Sequence, residues 1–516
     1  MVKLKDVFFG FEEGKDEAND ALQWNKFEEI FYPGFGSYDE MLLPHKFLVI
    51  GRKGTGKTLL AEYFKNEQRK EDNKVIIIDE SNFTVKKLEK MDYRGITEQE
   101  MIVFWEYFFC TEIAKNIKEE FSGWKWLTSS KYRKLSKVLK NKKFQVTKMK
   151  QTETDKLASS LKALVGEKSS AGIGINRNSE FTTSKELEES PYYDELKDYK
   201  EAIISCKKIL EGKKIFIIFD DLDELEIFAE TFESKKRFIL TMVRTIRRMN
   251  SEFVDNDVPI KMFALMRQDM ADDLNDSNNF NKILNSNSIN LKWNYNHKIG
   301  VMNQPLTQML VRKVKQSSEE FQQMNDMEVY NSLLPGKVKG QVLVKHLIDN
   351  SFGRPRDFVL FLNTIKENYP EKEKIRPAFF QNSYKDYSLK FYRELENEIN
   401  RNANKIFLKE GIQLIRDNKL MTFTLEEIIE TYEKNPIRYP AISNKSLIED
   451  CLKELYTYNV VGTSVTVINE NEKDSNIVEF FYRNNSIKNP DLSNMISVHF
   501  ALRPALNVIA AKKKTD

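Results

Sequence analysis

Along this chain, short unbroken apolar runs alternate with longer stretches of helical periodicity. Phe47-Leu48-Val49-Ile50, Val75-Ile76-Ile77-Ile78-Asp79, Ile215-Phe216-Ile217-Ile218-Phe219 and Ile260-Lys261-Met262-Phe263-Ala264-Leu265-Met266 have strand length and little of the polar alternation of a half-exposed strand. Such runs suit strands buried on both faces. Ile289-Asn290-Leu291-Lys292-Trp293 is a weaker fifth, and helical patterns over Glu98–Phe121 and Ser234–Met249 lie between strands. Alternating strands and helices predict an α/β domain with a parallel sheet.

The residues directly after the first run carry candidate chemistry. Gly51-Arg52-Lys53-Gly54-Thr55-Gly56-Lys57-Thr58 leads into the helical pattern Leu59-Leu60-Ala61-Glu62-Tyr63-Phe64. Strand, G-x-x-x-x-G-K-T and helix come in the order of a phosphate-binding P-loop. Glycines let the backbone curl so that successive amides face a phosphate, and the helix start adds partial positive charge. The backbone from Gly51 to Leu59 is therefore the expected nucleotide cradle. Lys57 is placed to reach the β- and γ-phosphates, and the Thr58 hydroxyl to bind Mg²⁺.

A P-loop also needs an acid on a second buried strand. The third run ends in Asp220-Asp221-Leu222-Asp223-Glu224, at the edge of an open α/β sheet where ligands bind. Asp220 is assigned to Mg²⁺ and Asp221 to polarising the attacking water, with Asp223 and Glu224 as rival bases. An acid on a strand separate from the P-loop strand suggests the additional-strand class of P-loop proteins. Arg267 ends the fourth run beside the expected site, either sensing the γ-phosphate or pairing with Asp269 or Asp272. On the preceding helical pattern, Arg244, Arg247 and Arg248 either include a finger for a neighbouring subunit or lie on a solvated face.

Further along, Ser351-Phe352-Gly353-Arg354-Pro355-Arg356-Asp357-Phe358 opens a helix running to about Lys366. Arginine gains nothing from the dipole at a helix start, so Arg354 and Arg356 face either an anion or an acid such as Asp349 or Asp357. Helices over Phe423–Glu433 and Ser446–Tyr456, then strands over Val460–Ile468 and Ile477–Tyr482, give the winged-helix order across residues 385–512. Its reading helix balances Lys445 and Lys453 against Glu449, Asp450 and Glu454, which favours a protein contact over DNA. The expected boundaries are a P-loop domain over 1–300, with an insertion at about 97–205, a helical lid over 301–375, and the winged-helix-like domain.

Composition adds little to this, with one local exception. Lys and Arg number 81 against 78 Asp and Glu, and the three cysteines and four histidines show no metal-ligand spacing. A reducing cytoplasm fits, and no window has the length of a membrane-spanning helix. Within the insertion, however, residues 122–150 hold ten Lys or Arg and no acid. Lys131, Arg133, Lys134, Lys137, Lys140, Lys142 and Lys143 are interleaved with Trp124, Trp126, Tyr132 and Phe144. This pattern either binds nucleic acid by stacking and phosphate neutralisation, or is an amphipathic helix with Tyr132, Leu135 and Leu139 inward. Gly166–Phe181 has loop composition.

Taken together, Gly51–Thr58, Phe219–Asp223, Arg267 and Gly353–Arg356 resemble prokaryotic ATPases of the origin-recognition, STAND and KAP groups, at the edge of the AAA+ proteins. The resemblance spans roughly residues 25 to 370. It implies an ASCE/AAA+-like fold, ATP with Mg²⁺, and nucleotide contact from the lid through Gly353, Pro355 and Arg356. Two departures stand out: Glu224 lies where KAP-type proteins usually carry Arg, and no long repeat array of the STAND kind is present. The expected activity is an ATP-hydrolysing molecular switch or remodeller, acting on a protein partner or by self-association, with antiviral defence as the setting the resemblance implies. The rival expectations are a DNA-binding initiator or loader using the basic insertion, and an ATP-binding scaffold with negligible turnover.

Overall fold

The structure is a computed structural model that describes the chain apart from residues 1, 24–25, 80–97, 121–128, 141–190, 209, 211, 221–231, 275–279, 292, 294–297, 401, 403, 469–473, 483–489 and 511–516. The chain forms two compact units, Pro33–Leu291 and a second one made of Met1–Tyr32 with Lys292–Asp516.

In the Pro33–Leu291 unit the apolar runs become five parallel strands: β1 (Leu48–Gly51), β2 (Lys74–Ile78), β3 (Ile215–Phe219), β4 (Ile260–Arg267) and β5 (Ser288–Asn290), in the order β2-β3-β4-β1-β5. Strand β4 separates β1 from β3, so the strand bearing Asp220 is not adjacent to the strand bearing the phosphate loop. That is the ASCE/AAA+-like arrangement. Every residue of β1 and β3 is buried, which accounts for their unbroken apolar sequence. Phe216 and Phe219 point to opposite faces because side chains alternate along a strand. Phe216 meets Phe64 of the Lys57–Lys70 helix at 5.0 Å between ring centroids. Phe219 meets Phe109 of the Glu98–Glu120 helix at 4.9 Å on the other face. Helices thus cover both faces, and each fully buried phenylalanine contributes about 2–3 kcal/mol of transfer free energy.

The other unit joins both ends of the chain, Met1–Tyr32 and Lys292–Asp516. Residues 1–32 pack with the carboxyl-terminal part of the chain because their apolar positions have their partners there. Leu4, Val7 and Phe9 share one core with Phe358, Phe361, Leu362 and Ile365 of the Pro355–Asn368 helix. The Leu4 amide donates to the Lys372 carbonyl at 2.6 Å, Lys366 Nζ donates to the Val7 carbonyl at 2.7 Å, and buried Glu17 pairs with buried Lys313.

Beyond the Tyr384–Ile399 helix, the winged-helix-like part runs helix Lys405–Asn418, β8 (Thr422–Phe423), helices Leu425–Lys434 and Ser446–Thr457, then β9 (Val461–Ile468), β10 (Asp474–Glu479) and β11 (Ile496–Val498). The four strands form an antiparallel sheet in the order β10-β9-β11-β8, and β6 (Lys337–Val338) and β7 (Gln341–Val342) form a separate ribbon. Strands β8 and β11 are too short to show a period and were not expected. Strand β10 begins three residues before the expected Ile477. Thr424 and Glu427 form a reciprocal capping box, which fixes the start of the Leu425–Lys434 helix.

Candidate nucleotide site

The Gly51–Thr58 loop leaves β1, which lies between β4 and β5 in the sheet. Gly54 and Gly56 have φ of 79° and 92°, the left-handed region in which a side chain is strained. These turns carry the chain over the head of the Lys57–Lys70 helix, whose first backbone bond runs from the Leu60 amide to the Gly56 carbonyl at 2.9 Å. The amides of Lys57, Thr58 and Leu59 lie at the head of that ladder, where helix amides have no intrahelical acceptor. The loop is braced from inside. Thr55 Oγ1 donates to the Arg52 carbonyl at 2.7 Å, and Lys57 Nζ donates to the Gly51 carbonyl at 3.1 Å. A Cβ at Gly51 would collide with the Thr55 hydroxyl and approach Leu291 Cβ to 3.3 Å. Gly51 is therefore required for close packing, whereas Gly54 and Gly56 are required for backbone conformation.

Thr58 and Asp220, far apart in sequence, meet here: Thr58 Oγ1 donates to Asp220 Oδ2 at 2.8 Å. Asp220 is almost wholly buried, and its amide donates to the Ile78 carbonyl at 2.9 Å, which extends the β2–β3 ladder by one rung. A hydroxyl and a carboxylate oxygen, side by side at the head of a helix, are the hard oxygen donors that Mg²⁺ prefers. The two residues fit the ion, and the phosphates of a nucleotide would complete its shell.

Asp221, Asp223 and Glu224 lie outside the described residues. The register pairs Ile78 with Phe219, so Asp79 is next to Asp220 along the sheet edge, a second acid that the sequence pattern marks only as a strand end.

Arg267 lies at the carboxyl end of β4, in register with Gly51, the first residue of the loop. Its guanidinium grips Asp269 with two parallel bonds, Nε to Oδ1 at 3.1 Å and a terminal nitrogen to Oδ2 at 2.6 Å. Desolvation works against the Asp269 charge. Arg267, the Met270 amide and Lys57 outweigh it, and hold the carboxyl below its ordinary pKa. Lys57, Arg267 and Asp269 thus form one electrostatic group, and of the two acids the sequence offers Arg267 it is Asp269 that takes its guanidinium.

The Gly353 turn belongs to the other unit and is built differently. Gly353 has a φ of 66°, and Pro355 starts the Pro355–Asn368 helix. Arg354, expected to face an anion or an acid, is buried and held by Asp357 and, at 3.0 Å, by Glu398. Burial works against its charge, but the two carboxylates outweigh it and raise its pKa above the ordinary arginine value. Arg356 donates to the Glu12 carbonyl at 2.8 Å and pairs with Glu13 at 2.6 Å and Glu394 at 3.4 Å.

In the basic insertion, the described part is an amphipathic helix, Ser130–Lys140. Tyr132, Leu135, Val138 and Leu139 are buried, while Arg133, Lys134 and Lys137 are exposed. Lys134 pairs with Glu201 at 2.8 Å, and Lys131 is half-buried. Lys142 and Lys143 lie outside the described residues, as do Trp124, Trp126, Phe144, the side chain of Lys140 and the Gly166–Phe181 segment. Among the described residues no group of three or more His, Cys, Asp or Glu could cage a metal, and no helix is long and apolar enough to cross a membrane.

Comparison with known proteins gives two likenesses. Residues 304–396 match the family described as FunZ-associated C-terminal helical domain, which takes in the helices from Pro305 through most of Tyr384–Ile399. Among solved structures, the chain is similar to the Aeropyrum pernix ORC1 protein in complex with DNA, at 11% identity and a TM-score of 0.36, over 93% of this chain and 94% of that one. No curated protein matches the chain. The site is therefore assigned on its own geometry.

Proposed function

We propose that the protein is an ATP-hydrolysing molecular switch. The observation that carries this is the 2.8 Å contact between the Thr58 hydroxyl and the Asp220 carboxylate, at the head of a helix preceded by a glycine-turned loop. The Gly51–Leu59 backbone cradles the phosphates and Lys57 neutralises the β- and γ-oxygens. Thr58 and Asp220 hold Mg²⁺, whose chemistry when bound is to draw charge off the phosphates. Asp221, the residue after Asp220, is the proposed base for the attacking water. A γ-phosphate reaching Arg267 competes with Asp269 for its guanidinium, which gives the site two electrostatic states. Gly353, Pro355 and Arg356 are the proposed contacts from the lid, with Arg356 exchanging Glu13 and Glu394 for phosphate. The setting of antiviral defence comes from the family resemblance alone.

Phosphate release from ATP with Mg²⁺, measured on wild type, Lys57→Ala and Asp221→Asn, tests the reading. Turnover in the wild type that both changes abolish, and that chelating Mg²⁺ stops, supports it. Nucleotide binding without turnover in the wild type sinks the switch and leaves the scaffold. A second reading, DNA-stimulated loading, is favoured by exposed Arg133, Lys134 and Lys137 on one face of the Ser130–Lys140 helix. It requires turnover to rise with DNA and this rise to vanish in Arg133→Glu/Lys137→Glu.

A further inference from the structure

The Phe232–Asp255 helix buries Phe238, Met242, Val243, Ile246, Met249 and Phe253, and turns another face outward. On that outward face charge is segregated. Arg244, Arg247 and Arg248 come first, then Ser251, then Glu252 and Asp255. No acid lies between Lys236 and Ser251, and no base between Met249 and Asp257. The acids occupy the last turn, where the helix dipole disfavours them. Glu252 is answered within the unit by Lys200 at 3.2 Å, whereas exposed Asp255 lies at the helix end that the dipole disfavours. The same residues line an open cavity of about 640 Å³, closed on one side by Ile283. Arg248 is anchored by buried Glu106 at 2.6 Å and Arg244 by Glu98, which orients the basic end from behind.

We infer that this face is a self-complementary docking surface for a second copy of the chain. Two such helices crossing antiparallel about a two-fold axis at Ser251 set Arg247 of each copy against Asp255 of the other, because the two residues are equally spaced from Ser251. The serine is small enough to let the backbones approach. Exposed Val254 then lies over the aliphatic stem of Arg248 on the other copy. An isologous contact of this kind uses one patch twice and closes at a dimer. The antiparallel order also reverses the dipole mismatch, since each acidic helix end meets the basic segment of its neighbour. The inference is independent of the nucleotide reading.

Sedimentation velocity of the full chain at low salt tests it through charge exchange. The wild type dimerises, and its dissociation constant rises with salt because the contact is ionic. Arg247→Glu and Asp255→Arg each weaken the dimer at least tenfold by placing like charges opposite one another. An equimolar mixture of the two variants, and the double variant Arg247→Glu/Asp255→Arg, recover wild-type association, since opposite charges then face each other again. Both positions are exposed, and unchanged melting temperatures confirm that the variants fold. A wild type that stays monomeric to about 100 μM overturns the inference, because no useful affinity would remain. So do a salt-insensitive dimer, single variants that associate like wild type, and a mixture that fails to reassociate.

Discussion

The phosphate loop and the Gly353 turn follow the same local rule and end in opposite electrostatic conditions. Each places a left-handed glycine ahead of a helix and carries cations near the helix start. At the phosphate loop, Lys57 is held by a backbone carbonyl, a neutral acceptor that a phosphate can outcompete. At the Gly353 turn, Arg354 is locked between two carboxylates within the core. A basic residue at a helix start is therefore available to a ligand only where a phosphate can outcompete its partners. Arg356 is intermediate, paired with acids whose side chains are more exposed.

The sharpest test of this contrast is to remove the two cations. Lys57→Ala should lower ATP turnover by about 10²-fold or more, in line with the loss of one preorganised group at a developing charge, and leave the melting temperature near wild type. Arg354→Ala should instead destabilise the protein by about 3–5 kcal/mol in denaturant unfolding, because Asp357 and Glu398 are left as buried uncompensated charges. Loss of turnover with full stability in Arg354→Ala would put that residue in the site and dissolve the contrast.

The two glycines give a smaller effect of the same kind. Gly51→Ala drives a Cβ into the Thr55 hydroxyl, so nucleotide affinity should fall at least tenfold in titration calorimetry. At Gly353 the nearest atom to an added Cβ is in Tyr482 at 3.6 Å, an ordinary contact. Gly353→Ala should then cost only the left-handed strain, about 1–2 kcal/mol, read in the same unfolding experiment.

The least perturbing measurement uses the cysteines. Burial pushes the Cys206 thiol up to about 11 and the Cys451 thiol up to about 12, and raises Cys110 further. A thiol with a raised pKa stays neutral until the pH climbs toward that value, so at about pH 8 a thiolate-selective reagent should label the three only after denaturant is added. Rapid labelling of native protein at Cys206 would show that this part of the Pro33–Leu291 unit opens readily, and a bound nucleotide should slow it.

How much of this could be read beforehand depended on the range of the interactions. The Gly51–Thr58 loop and the β1, β3 and β4 strands were legible because their signals are local. Glycine spacing dictates the turn, and a run of about four to eight apolar residues has to be buried on both faces. The inward stripe of Ser130–Lys140, one of two readings open in the sequence, comes from helical period in the same way. Strands β8 and β11 were not legible, being two and three residues long and held by pairing with distant neighbours.

By itself, then, the sequence determined the Gly51–Thr58 turn, the buried acidic strand and the winged-helix order, each set by periodicity and backbone conformation within a few residues. Only the tertiary structure decided which cations are already matched by acids, that residues 1–32 pack with the carboxyl-terminal unit, and that Asp269 joins Lys57 and Arg267. Those outcomes depend on charge pairing and apolar contact between segments far apart in the chain, and no local pattern encodes which partner will be within reach.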